Sequence, residues 1–198
     1  MKLIKIIFLL TVMSLFSYAN NKPNFTTQEL DYIKNNPTVV VGGETDWPPY
    51  DFVKDGRYQG IAKDYLDLIS SKTNLTFDIK TGYTWVELLE LAKNKKIDLL
   101  PILSNLPERQ KFLNFTDDYI TTRQYAFTRT DNLITNIEQL FGKVVAIPKG
   151  YASITSLKGM YPEIKILETQ NVLDSIDKLV TKQVDAIIGH INLSHTKV

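Results

Sequence analysis

The chain has 198 residues, 43% hydrophobic and 23% charged, with a formal net charge of +1 and no cysteine. That length holds one large or two small domains with a real core, and the near-neutral balance offers no basic surface to a nucleic acid. Lack of cysteine excludes a disulfide framework, a thiolate metal site and a cysteine nucleophile.

The N-terminus differs from the rest. Lys2 and Lys5 precede a mostly apolar run over residues 6–16, and Ser17, Tyr18 and Ala19 follow, with small residues two apart. A basic start, a short apolar run and a small-x-small site predict a secretory signal peptide over residues 1–19, cleaved after Ala19. The alternative is a buried N-terminal helix, since the run is shorter than the ~20 residues a membrane span takes. Export would place the mature protein in the periplasm, and loss of the two lysines would leave a charge of −1.

Residues 20–36 read as a polar lead-in with an amphipathic helix over 27–34, capped by Thr26 or Thr27. Residues 38–42 (TVVVG) are a β-branched run and predict a buried strand. It empties into residues 43–50, a loop that cannot be helical because Pro48 and Pro49 follow Trp47. Asp55-Gly56 is a turn signal. Gly60 opens a helix over 61–72, with Ile61, Tyr65, Leu68 and Ile69 as its apolar side. Residues 75–79 predict a strand and 85–93 a helix that buries Val86, Leu89 and either Leu91 or Ala92. The apolar run 99–103 is expected to complete a β-α-β-α-β pattern, hence a parallel sheet covered by helices.

After Tyr119 the pattern pauses and restarts. Strands are predicted at 125–128, 143–147, 165–167 and 186–188, with helices at 137–140, 153–160 and 172–181. The last helix carries Val172, Leu173, Ile176, Leu179 and Val180 as its apolar residues. The second half thus repeats the architecture of the first. Two α/β lobes are expected, a first over 37–120 and a second over 121–198, with ligands bound outside the carboxyl ends of the strands.

Those ends carry the candidate chemistry. Around residues 98–119 (DLLPILSNLPERQKFLNFTDDY) the apolar run stops at Ser104, and a charged turn brings Arg109 back over it. A backbone N–H and a planar guanidinium converging on one spot make an anion clamp; the alternative is that Arg109 is one more surface charge beside Glu108 and Lys111. Glu44 and Trp47 follow the first strand, and Thr84 with Trp85 follows the second. The two tryptophans are the only two in the chain. They are either core anchors or the apolar walls of a site for a small organic anion. In the second half Gly150, Tyr151 and Ser153 open a helix, a modest anion site, and His190 follows the last strand. Catalytic constellations are poor: there is no phosphate loop, nucleophile motif or paired acid and base, and His190 with His195 gives no metal or triad spacing. No cofactor is implied.

In order and spacing, Trp47-Pro48-Pro49-Tyr50, Gly60-Ile61-Ala62-Lys63-Asp64, Lys96-Ile97-Asp98, Pro107-Glu108-Arg109, Phe115-Thr116-Asp117-Asp118-Tyr119, Gly142-Lys143-Val144, Lys149-Gly150 and Val184-Asp185-Ala186 resemble the bacterial extracellular solute-binding proteins of family 3. The resemblance runs over about residues 37–189. It implies a two-lobed, type II periplasmic-binding-protein-like fold that closes on a small solute. The implied role is non-enzymatic, as the receptor of an ABC transporter permease or the sensor domain of a kinase or cyclase module. It puts Trp47 and Trp85 on opposite faces of the ligand, Ser104 and Arg109 on its α-carboxylate, Glu44 at a first-lobe acidic position, and Tyr151 and Ser153 at helix-start contacts. Amino-acid binders of this kind usually hold the ammonium with an aspartate where this chain has His190, so a carboxylate without an amine fits as well. The family chain also returns to finish its first lobe, and residues 192–198 are too few to supply that return. Rival expectations are an enzyme on the same scaffold, resembling exported dehydratases or lytic transglycosylases, and a truncated remnant.

Overall fold

The computed structural model describes residues 23–190. The predicted signal peptide with its cleavage position, and residues 191–198 with His195, lie outside the described residues.

Helix α1 (Thr27–Asn35) is started by a capping box: the Thr26 hydroxyl accepts from the Glu29 N–H, and the Glu29 carboxylate accepts from the Thr26 N–H. Strand β1 (Thr38–Gly42) follows. The loop expected over 43–50 contains a two-residue strand, β2 (Asp46–Trp47), which pairs with β3 (Asp51–Lys54). With β4 (Arg57–Gln59), joined through Asp55-Gly56, it forms a three-stranded antiparallel sheet that the sequence reading lacked. Its strands are two to four residues long, too short to show a period.

Helix α2 (Ile61–Thr73) leads to β5 (Thr76–Lys80), which lies parallel to β1. The expected apolar side of α2 is a correction: Ala62 and Leu66 are buried, whereas Tyr65, Leu68 and Ile69 are exposed. The small Ala62 lets the helix sit close to Tyr50 and Ile102 on the face that size alone disfavours. Helix α3 (Trp85–Lys93) begins with a second capping box, Thr84 and Glu87, and buries Trp85, Leu88 and Ala92 rather than Val86 and Leu89. The expected third strand over 99–103 is also corrected. Only Leu99 bridges to Val41, and the rest of the run makes no ladder with the described residues.

The second lobe matches its expected elements more closely. Strand β6 (Gln124–Thr128), a 3₁₀ turn (Ile137–Leu140), β7 (Val144–Pro148), α4 (Ala152–Met160), β8 (Lys165–Thr169), α5 (Val172–Val180) and β9 (Ala186–His190) follow in order. The sheet order is β6-β9-β7-β8, with β7 parallel to both neighbours and β6 antiparallel to β9. Alternation along β7 divides the core. Val145 and Ile147 pack with Leu140, Ile154 and Leu157 on one face, while Ala146 packs with Val172, Leu179 and Ile187 on the other. On α5 the expected apolar Leu173 and Val180 are exposed, and Ser175 is buried against the Thr169 hydroxyl instead.

Candidate functional site

The carboxyl ends of the strands of both lobes face each other. Glu44 leaves β1, Trp47 ends β2, Trp85 opens α3 and the turn after residue 106 carries Arg109; opposite them stand Gly150 and Tyr151, between β7 and α4, and His190 at the end of β9.

Arg109 is 4% exposed, so the surface-charge alternative fails. One guanidinium nitrogen donates to the Ser104 carbonyl at 3.0 Å and the other to the Gly150 carbonyl of the opposite lobe at 2.9 Å. Its Cζ lies 5.3 Å from the Trp85 ring centroid, a cation–π contact. The Trp85 indole N–H donates to the same Gly150 carbonyl at 3.1 Å. A main-chain oxygen therefore takes both first-lobe donors. Gly150 reaches that position at φ +80°, and a Cβ there would stand 3.2 Å from Trp85 Cδ1, so glycine suits both the backbone and the approach.

Two further bonds join the lobes. The Tyr151 hydroxyl donates to Glu44 Oε2 at 2.8 Å. Asp46 Oδ2 accepts from the Leu173 N–H at 3.2 Å, placing a carboxylate at the positive end of α5. Tyr151 also packs edge-on against both tryptophans, 6.3 Å from Trp85 and 6.4 Å from Trp47.

Burial sets the charges. It raises the Glu44 carboxyl to about 8, against the Tyr151 hydrogen bond, with Asp51 and Asp46 adding repulsion. It raises Asp51 to about 7, raises Asp46 and drives the Tyr151 hydroxyl well above its ordinary value. At neutral pH Glu44 is mostly protonated and supplies little counter-charge. Burial also lowers Arg109, opposed by Glu108 and Glu44. Among the described residues no carboxylate lies within 4.0 Å of the guanidinium. A buried cation with only carbonyl partners is an arrangement an anion would stabilise.

Glu44, Trp47, Trp85, Ser104, Arg109, Tyr151 and His190 all line one cavity of about 40 Å³. That holds a few waters, at ~10–15 Å³ each, and no amino acid; a larger solute has to part Gly150 from Arg109. A second cavity of about 120 Å³ lies beyond the Glu44–Tyr151 pair, lined by Asp46, Thr84, Gln170 and Asn171 among others. Ser104 offers its carbonyl to Arg109 and is itself exposed. Ser153 is buried within α4, and its neighbour Ala152 is the helix residue that lines the cavity. The His190 ring lies 5.1 Å from Trp47 and 5.6 Å from Tyr50; burial lowers its pKa, leaving it neutral at pH 7. The tryptophans are not alike: Trp85 belongs to the first-lobe core and also walls the cavity. Sequence reasoning missed Asp46 and the Gly150 carbonyl. The first stands two residues from Glu44, a usable signal, whereas a main-chain oxygen leaves none.

The chain is 26% identical over 168 residues to the virulence sensor protein BvgS of Bordetella pertussis; this covers 84% of the chain and 14% of the relative, so the chain spans about a seventh of that protein. The crystal structure of the Bordetella pertussis BvgS periplasmic VFT2 domain superposes with a TM-score of 0.78 at 24% identity, over 87% of this chain and 74% of that one. The ancestral amino acid-binding protein AncCDT-1, described as a precursor of cyclohexadienyl dehydratase, superposes at 0.73 and 26% identity, over 82% and 74%. These are venus-flytrap folds, and the mixed α/β chain covers part of such a fold. Residues 39–196 match the family model of the bacterial extracellular solute-binding proteins, family 3, and the chain belongs to that family.

Proposed function

We propose that this chain is an extracytoplasmic sensing domain whose interlobe cleft takes a small organic carboxylate. One observation carries the reading: the Arg109 guanidinium is buried in the cleft, backed by Trp85, with carbonyls alone as partners. A ligand carboxylate replaces the Gly150 carbonyl on Arg109 and on the Trp85 N–H, with both charges desolvated and paired. Trp47 and Trp85 supply the apolar walls, Glu44 and Tyr151 a hydroxyl-rich side, and His190 a neutral ring where an ammonium would need an anion. Ser153 is buried in the first turn of α4 and does not line the cavity. The solute must move the lobes, and that hinge motion is the output. Similarity to a sensor protein favours signalling to a kinase or cyclase module over delivery to an ABC permease. Export by residues 1–19, cleaved after Ala19, and lobes over 37–120 and 121–198 complete the proposal.

Thermal unfolding of the chain against a panel of amino acids and small carboxylates tests it. A binder raises the transition by mass action, and Arg109→Ala removes the shift. A shift that survives Arg109→Ala sinks the reading.

A second reading is an enzyme on the same scaffold. It is favoured by Glu44, a buried carboxyl raised to about 8 in the same cavity as Arg109, which suits general acid catalysis. Mass spectrometry of any solute that shifts the transition separates the two: an unchanged solute is bound only, and a dehydrated one is substrate.

A further inference from the structure

We propose that the cleft ligand is an ω-cationic carboxylate, with an ammonium or guanidinium at the end of its chain remote from the carboxylate, and that the cavity beside Glu44 and Asp46 receives the cation. The inference rests on the carboxylate reading of the cleft and adds the far half of the same site.

Two adjacent residues of the second lobe occupy first-lobe groups of opposite chemistry. The Gly150 carbonyl accepts from the Arg109 guanidinium and from the Trp85 indole N–H, whereas the Tyr151 hydroxyl donates to Glu44 Oε2. An acceptor set beside a donor is the pattern of a ligand with an anionic end and a cationic end. Gly150 and Tyr151 are neighbours in the chain, so one displacement of this dipeptide frees Arg109 and Glu44 together. A solute whose carboxylate replaces the Gly150 carbonyl then has Glu44 open to its other end.

Glu44, Trp85 and Tyr151 wall both the cavity of about 120 Å³ and the small one at Arg109. Asp46, Tyr83 and Gln170 line only the larger one. Among the described residues that line it there is no lysine, arginine or histidine. Glu44 is 6% exposed, and its carboxyl makes one hydrogen bond among the described residues, through Oε2, which leaves Oε1 without a partner. Asp46 has the Leu173 N–H at Oδ2 and no cation. Burial raises both carboxyls, and the Arg109 charge is the smallest influence on Glu44. An organic cation supplies the missing counter-charge through charge-assisted hydrogen bonds, and Tyr83 adds an aromatic wall that suits it. A second carboxylate would meet two acids and no base. An ammonium on the carbon beside the carboxylate would lie at Arg109, away from Asp46, where His190 presents no negative charge.

Calorimetric titration of the full chain with δ-aminovalerate, valerate, norvaline and glutarate tests the assignment, with γ-aminobutyrate and ε-aminocaproate varying the chain length. These acids share a carboxylate and differ in the rest: a cation at the far end, none, one beside the carboxylate, or a second anion. The best ω-amino acid is expected to bind about tenfold or more tighter than its methyl-ended counterpart, its α-amino isomer and the diacid. Asp46→Asn and Glu44→Gln should each narrow the preference over the methyl-ended acid by about threefold or more. Arg109→Ala should weaken the two acids alike and so keep their ratio, which separates the ends of the site. Equal affinity for valerate and δ-aminovalerate, each still lost in Arg109→Ala, overturns the cation site and leaves the carboxylate reading standing. Affinities untouched by Arg109→Ala overturn that reading instead, and the inference with it. Tighter binding of norvaline, or no binding by any ω-amino acid of the series, overturns the inference as well.

Discussion

Glu44→Gln probes the electrostatics of the cleft most sharply. Burial raises the Glu44 carboxyl from an ordinary 4.5 to about 8. The folded chain thus keeps a proton that the unfolded chain releases, so the folded state loses stability as pH rises through that window and levels off above it. Worked at ~1.36 kcal/mol per unit, the fall between pH 5 and pH 8 is about 3 kcal/mol, or roughly 10 °C in melting midpoint for a chain of this size. Glutamine keeps an oxygen for the Tyr151 hydroxyl and cannot titrate. Chemical denaturation of wild type and variant from pH 5 to pH 8 reads the difference. The wild type should weaken with rising pH. Glu44→Gln should retain a smaller fall due to Asp51, raised to about 7 by burial, and Glu44→Gln with Asp51→Asn should lose that fall and leave the opposing rise from His190, whose pKa burial lowers. A variant whose profile superimposes on the wild type refutes the claim that Glu44 is held protonated.

Leu88 is fully buried among Trp85, Ala92, Ile97 and Leu100; Leu88→Ala should cost about 2–5 kcal/mol in denaturant unfolding. Asp46→Ala removes the carboxylate from the α5 start and should shift lobe closure by about 1 kcal/mol, seen as a larger radius of gyration in solution scattering. Gly150→Ala puts a side chain at φ +80° against Trp85 and should lower stability by about 1–2 kcal/mol, with the Trp85 indole N–H resonance shifted as its bond to Gly150 loosens.

Order and type of the long elements were legible because local signals agreed with tertiary packing. Thr84 and Glu87 mark the start of α3, and its bounds over Trp85–Lys93 were read as observed. Strand β7 reads from its β-branched run and is buried on both faces. What the helices bury was less legible. On α2 Tyr65, Leu68 and Ile69 face outward while Leu66 and the small Ala62 face in, Ala62 because close approach to Tyr50 and Ile102 needs a small residue. The run 99–103 has the composition of a strand but finds a described partner only at Leu99; composition reports suitability for a sheet, not whether a neighbour is present. Seven of the eight candidate site residues share one cavity because strand ends converge, which order along the chain implies. The Gly150 carbonyl on Arg109 and the Tyr151–Glu44 bond arise only when the lobes meet.

The most direct measurement is calorimetric affinity for the best small carboxylate and for its primary amide, with wild type and Arg109→Lys. The Arg109 fork should favour the acid over the amide by at least tenfold in the wild type, and Arg109→Lys, which keeps the charge but not the fork, should lose most of that preference. Equal affinity for acid and amide in the wild type, or an unchanged preference in Arg109→Lys, contradicts a carboxylate held by Arg109.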